Sequence, residues 1–180
     1  MMLMGQRLTM RPLERADLNR SRVWVNDPAN AAPLLRSLPV SELEQERWFE
    51  AICTDSRRMV WAALLESEHV GNAGLYHVDL LHRRAEAWFL LGDPQKRGKG
   101  LGKEMAGLIM GYGFNSLGLN KIYLHVGVDN QVALRLYQRL GFLREGELKQ
   151  EYFINGAFRD VWRMAILSQD WRQRTSGGRP

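Results

Sequence analysis

Between Phe89 and Gly102 the chain leaves an apolar run, Phe89-Leu90-Leu91. It crosses Gly92-Asp93-Pro94-Gln95-Lys96-Arg97-Gly98-Lys99-Gly100 and enters an apolar-periodic stretch at Leu101-Gly102. A strand that turns through glycines and starts a helix at once is a narrow local solution. Glycine lets backbone amides approach a bulky group. The first turn of a helix carries unpaired N–H groups and a partial positive charge. Together they make an anion site that suits a pyrophosphate. Two familiar phosphate signatures are excluded: Gly98, Gly100 and Gly102 do not fit Gly-x-Gly-x-x-Gly, and no Gly-x-x-x-x-Gly-Lys-Ser/Thr occurs.

The rest of the chain reads as an α/β domain around this segment. Gln6–Arg11 alternates as a strand that ends at Pro12, and Leu13–Asn26 has helical spacing. Asp27–Pro39 holds three prolines and reads as irregular. Ser41-Glu42-Leu43-Glu44 is a capping box that opens a helix to about Cys53, with Trp48, Phe49 and Ile52 as its apolar stripe. Met59–Leu65, Val70–Val78 and Arg84–Leu91 suggest an antiparallel meander. Leu101–Phe114 reads as a helix, Lys121–Val128 as a strand and Asn130–Leu140 as a helix ended by Gly141. Leu143–Phe153 and Phe158–Leu167 should form a closing hairpin about Asn155-Gly156.

Composition narrows the classes. At 180 residues and 45% hydrophobic, the chain suits one domain, taken as residues 1–170, with 171–180 as a frayed tail. No apolar run approaches the ~20 residues of a membrane span, and no signal-peptide core opens the chain. A cytoplasmic location is the default. The single cysteine, Cys53, excludes an internal disulfide and reads as a buried helical residue. The net charge of +5 is concentrated partly in the glycine-rich turn and partly in Arg172, Arg174 and Arg179. No zinc-finger spacing, aromatic-basic RNA motif or basic heptad accompanies it, so nucleic acid is not the expected partner. No metal-ligand spacing occurs.

A second motif follows about thirty residues on: Asn130-Gln131-Val132-Ala133-Leu134-Arg135-Leu136-Tyr137-Gln138-Arg139-Leu140-Gly141-Phe142. With Gln95-x-x-Gly98-x-Gly100 it resembles the two hallmarks of the GNAT N-acetyltransferases, in order and at the right distance. The resemblance runs from Arg11-Pro12-Leu13 to Arg163-Met164-Ala165-Ile166. It implies a mixed, mostly antiparallel sheet of six to seven strands flanked by about four helices. It also implies acetyl-CoA as co-substrate and transfer of acetyl to a primary amine. Gln95, Lys96, Arg97, Gly98, Lys99, Gly100, Leu101 and Gly102 would bind the cofactor, with the amides from about Arg97 to Gly102 holding its pyrophosphate. The backbone of Phe89, Leu90 and Leu91 would pair with the pantetheine arm, and Asn130 would cap its helix and meet that arm. Tyr137 would protonate the leaving thiolate. Glu86 is the candidate base, with His77 and His82 behind it, and Trp48 and Trp88 are candidate walls of the acceptor pocket.

Within the family the chain is similar to a branch of spermidine, ribosomal-protein and nucleotide-aminosugar acetyltransferases. Arg11-Pro12-Leu13-Glu14 and Tyr152-Phe153-Ile154-Asn155-Gly156 carry that likeness. The segment Ala29–Pro39, where the polyamine enzymes are acid-rich, has no carboxylate and one arginine, Arg36. Glu42, Glu44, Glu46 and Glu50 follow on what reads as a solvated helix face. Pro39-Val40-Ser41 and Gln45-x-x-Trp48 look more like the aminosugar enzymes, so the expected acceptor is a small-molecule amine such as an aminosugar nucleotide. A protein N-terminus or a polyamine stands as the alternative, and a binding-only regulator is a further one. Members of the branch are commonly dimers or larger, so the resemblance implies a homo-oligomer, a homodimer being the simplest.

Overall fold

The computed structural model describes residues 1–31 and 33–176. Ala32, Gly177, Gly178 and Arg179, which entered the sequence reading, lie outside the described residues. Eight strands form one sheet: β1 (Leu3–Met4), β2 (Leu8–Pro12), β3 (Met59–Leu65), β4 (Glu68–Asp79), β5 (Arg84–Leu91), β6 (Lys121–Gly127), β7 (Leu143–Ile154) and β8 (Ala157–Leu167). Their order is β1-β2-β3-β4-β5-β6-β8-β7. Every pairing is antiparallel except β5 with β6, which are parallel. The sheet exceeds the expected six to seven strands because Leu3–Met4, too short to carry a periodic signal, adds an edge to β2.

The helices are α1 (Leu18–Asn26), α2 (Pro28–Ala31), α3 (Glu42–Thr54), α4 (Leu101–Gly111), α5 (Gln131–Leu140) and α6 (Ser168–Ser176). The capping box of α3 forms as the sequence requires, with Ser41 Oγ accepting from the Glu44 amide and Glu44 accepting from the Ser41 amide. The segment expected to be irregular after Asn26 contains the short helix α2. Beyond residue 170, where a frayed tail is expected, α6 continues to Ser176, and the Trp171 ring packs 6.0 Å from Phe114. Cys53 corrects the buried expectation. It is exposed, because the inward stripe of α3 is Trp48, Phe49 and Ile52, and residue 53 lies about 100° farther round the helix.

The main core lies between the sheet and α4 and α5, built on Met105, Ile109, Phe114, Ile122, Leu124 and Phe142. A smaller core of Leu13, Leu18, Val60 and Ala62 joins the other face to α1 and α3. Gly71 lets β4 and β5 approach, since a Cβ there would stand 2.3 Å from the Leu90 carbonyl oxygen. The Asn155-Gly156 turn has positive φ at both residues, 51° and 80°, as a tight hairpin of this hand demands. Among the described residues no helix is long and apolar enough to cross a membrane.

Candidate active site

The parallel pairing of β5 and β6 covers only Arg84–Lys121, Ala85–Ile122 and Glu86–Tyr123. Beyond Glu86 the two strands part. β5 continues to Leu91 paired only with β4, as Phe89–Ala73, Leu90–Asn72 and Leu91–Gly71. The other edge of Phe89, Leu90 and Leu91 therefore faces an open V-shaped cleft, with the Leu91 carbonyl accepting from Arg97 Nε at 3.4 Å. An extended chain bearing amides fits such an edge.

At the wide end of the V lies the glycine-rich turn. Asp93 caps the short turn Pro94–Lys96 by accepting from the Gln95 amide at 2.9 Å. Gly98 and Gly100 have φ of +75° and +80°, the left-handed region that side chains disfavour. Gly100 is the N-cap of α4 and supplies no side-chain cap, so the helix start offers its amides outward. A Cβ built at Gly98 meets nothing within 4 Å, which leaves room for an anion against the backbone. This geometry fits a pyrophosphate group.

The basic side chains behave differently from the backbone. Lys96 pairs with Glu68 at 3.1 Å, and Arg97 is bound to the Asn30 side-chain oxygen of α2. Asn30 in turn donates to the Gly92 carbonyl at 3.3 Å and is buried. Arg7, which sequence reasoning missed, braces the turn by donating to the Lys99 carbonyl at 2.8 Å while pairing with Glu104 at 3.1 Å. Burial pulls the Glu104 carboxyl up, yet the Arg7 and Leu8 amides and the Arg7 guanidinium leave it below the usual carboxylate range. Gln95 and Lys99 are exposed on the rim.

Across the V, Asn130 caps α5 by accepting from the Ala133 amide at 3.1 Å. Tyr137, two turns on, is half-buried with its ring 6.1 Å from Phe89 and 5.8 Å from Phe142. Desolvation pushes its phenol up to about 12, so it stays protonated at any ordinary pH.

A cavity of about 490 Å³ opens on the opposite face of β5. Glu86, Trp88 and Leu90 project into it, with Trp48 of α3, Tyr76 of β4 and Tyr152 of β7 as further walls. Both candidate tryptophans thus line the cavity. Trp48 donates its indole N–H to the Tyr76 hydroxyl at 2.9 Å, and Tyr76 and Trp88 pack at 5.5 Å. Of the two carboxylates lining the cavity, Glu44 is engaged in the Ser41 cap. Glu86 faces His125 Nδ1 at 2.7 Å and His77 Nε2 at 3.6 Å. His82 pairs instead with Asp79 at 2.8 Å, at the β4–β5 turn, outside the cavity lining. Among the described residues no group of three or more metal-ligating side chains is brought together.

Fold and site together define a CoA-dependent acyltransferase. A cradle of helix-start amides, a free strand edge and an amine-sized pocket meet at one splayed parallel pair. The model of the acetyltransferase (GNAT) domain matches residues 7–143, and the chain belongs to that family. It is an acetyl-CoA-dependent N-acetyltransferase. The chain is 36% identical over 174 residues to spermidine N(1)-acetyltransferase of Escherichia coli K12, covering 90% of this chain and 87% of that protein. It superposes with a TM-score of 0.88 on the Vibrio cholerae spermidine N-acetyltransferase in complex with CoA and spermine, at 32% identity over 93% of this chain and 99% of that one. A dodecameric structure of the Vibrio cholerae enzyme in an intermediate state matches with a TM-score of 0.82, at 32% identity over 95% and 99% of the two chains.

Proposed function

We propose that this chain acetylates a primary amine of an aliphatic polyamine, with Glu86 as base and Tyr137 as acid. The observation that carries the reading is the placement of Glu86, at the closed end of the V and facing the aromatic cavity. The relatives support the acceptor class, since both named enzymes are spermidine N-acetyltransferases. They give the expected aminosugar nucleotide no support. Acetyl-CoA supplies an activated acetyl thioester when bound. The amides from about Arg97 to Gly102 hold its pyrophosphate, and the free edge of Phe89–Leu91 aligns its pantetheine arm. Asn130 meets the same arm.

A primary alkyl ammonium has a pKa near 10 and must lose a proton before it attacks. The Glu86 carboxylate accepts that proton directly or through a water. Trp48, Tyr76, Trp88 and Tyr152 enclose the methylene chain, and their ring faces attract the remaining ammonium groups. A backbone N–H near Leu90 or Leu91 stabilises the oxygen charge that develops during attack. Tyr137 delivers its phenolic proton towards the departing sulfur. Most of the acceleration comes from holding two reactants in line.

Arg36 and Arg58 favour a second reading, because both line the same cavity and Arg58 stands 5.8 Å from the Tyr76 ring centre. An amine whose far end is anionic would meet them. Thiol release from acetyl-CoA separates the two, with spermidine and putrescine in one arm and γ-aminobutyrate in the other. Higher kcat/KM on the polyamines supports the first reading. Turnover confined to the aminocarboxylate refutes it. Homo-oligomer formation, by likeness to the dodecameric relative, is tested by light scattering of the purified chain.

A further inference from the structure

Glu86 is the last residue of β5 paired with β6, opposite Tyr123, and its carboxylate stands off the sheet face rather than in the ladder. Among the described residues its one hydrogen-bonding partner is His125, with Nδ1 2.7 Å from Oε1. His125 lies on β6 two residues past the end of the β5–β6 pairing. Strand alternation puts it on the cavity face with Tyr123, while Ile122, Leu124 and Val126 are buried on the other. Its side chain is only 21% exposed, and the Tyr123 ring meets it edge-on at 5.9 Å.

We propose that His125 is a positioning residue for the base, resting on the reading of Glu86 given above. Its Nδ1–H donates to Oε1 and fixes the carboxylate rotamer. Oε2 is left towards the cavity to receive the proton of the amine.

The neighbours on each element are consistent with that role. From β4, His77 is 68% exposed and 3.6 Å from Oε2, too far for a firm hydrogen bond. On β5, Arg84 is turned to Asp79 at 3.5 Å. Tyr123 of β6 and Tyr152 of β7 have phenols raised by burial and, after it, by the Glu86 charge, so they remain neutral. Arg163 of β8 stacks on Tyr123 with its guanidinium carbon 4.1 Å from the ring centre and pairs with Glu145 of β7 at 3.4 Å. None of these supplies the donor that His125 gives.

The test compares three substitutions in the full chain with spermidine as acceptor. Asn at 125 carries a side-chain N–H in the place of Nδ1. Gln carries it at the place of Nε2, away from Glu86, and Leu carries none. His125→Leu and His125→Gln should each lose on the order of 10²-fold in kcat, the size of effect expected when a reacting group is misplaced by about an ångström. Their KM for spermidine should stay within about threefold of wild type, because the residue acts on the base and not on acceptor binding. His125→Asn should recover most of the lost kcat. Acetyl-CoA affinity and melting temperature report folding, and His125→Gln stands in should the leucine variant fail to fold.

Wild-type kcat in the Gln variant overturns the proposal. So does an equal loss of kcat in all three variants, or a loss carried by KM alone. Glu86→Gln tests the underlying reading separately. If it stays active, the base assignment fails and takes this inference with it. If it is inactive while His125→Gln is unimpaired, only the role of His125 is lost.

Discussion

Replacing Tyr137 by Phe removes one hydroxyl and little else. The ring keeps its packing against Phe89 at 6.1 Å and Phe142 at 5.8 Å. No described residue accepts or donates a hydrogen bond at the phenol, so the fold loses no partner, and stability should change by less than about 0.5 kcal/mol. The catalytic cost follows from two acidities. The phenol is raised to about 12, while a free thiol titrates near ~8.5, so full proton transfer is uphill even to the released thiolate, and the phenol acts mainly by hydrogen-bonding the charge that builds on sulfur. The benefit therefore falls at the low end of general-acid effects, on the order of 10²-fold, which is about 2.7 kcal/mol of barrier. The assay is thiol release at saturating acetyl-CoA and amine, with direct titration of acetyl-CoA binding alongside. The expected result is a kcat lower by about 10²-fold, with affinity for acetyl-CoA nearly unchanged. Because only about one phenol in 10⁴ is ionised at pH 8, the alkaline side of the profile should keep its shape in the variant. A kcat within twofold of wild type would remove Tyr137 from the mechanism.

Other consequences are independent of that test. Gly100→Ala forces a side chain into a φ of +80° beside Arg7 at 3.3 Å. The strain of about 1–2 kcal/mol should weaken acetyl-CoA binding by roughly 5- to 30-fold while kcat at saturation changes little. Asp17 accepts from Arg11 at 2.7 and 2.9 Å and from the Glu14 amide at 2.9 Å. Burial raises its carboxyl, but these donors outweigh burial and hold it below the usual range. Its stabilisation is thus present above the unfolded value near ~3.9 and lost as pH falls through the lower folded value. Asp17→Asn should cost about 3 kcal/mol at pH 7 in urea melts, the low end for breaking a buried pair, and should flatten the acid dependence of stability. Arg36→Glu replaces a cation lining the cavity by an anion and should raise kcat/KM for spermidine several-fold; a fall would refute the polyamine reading of the cavity.

Much of the fold is legible because its signals are local. The Ser41–Glu44 box, the Asn130 cap and the Asn155-Gly156 turn each depend on residues within a few positions, and each forms. Leu3–Met4 was not legible, since two residues carry no period and join the sheet only because β2 has a free edge. In α6, Trp171 packs on Phe114, a partner 57 positions away that no local pattern reveals. The glycine-rich turn could be found from its glycines, but not the bracing of it. Arg7 is 92 residues from the Lys99 carbonyl and Asn30 is 67 from Arg97. His125 had a faint signal, as a polar residue alternating with Ile122, Leu124 and Val126 on a strand. What it faces depends on the parallel pairing with β5.

The sequence by itself determined where a glycine-rich turn meets a helix start, which helix that is, and which tyrosine lies two turns past a capping asparagine. These are consequences of φ preferences, capping and the helical repeat, and act within about ten residues. Only the tertiary structure decided that β5 and β6 pair for three residues and then part. That divergence opens the cleft, exposes the edge of Phe89–Leu91 and brings Glu86 to His125. It depends on how strands distant in sequence sit in one sheet with α4 and α5 packed on its face, a balance of contacts summed over the whole core that no single segment encodes.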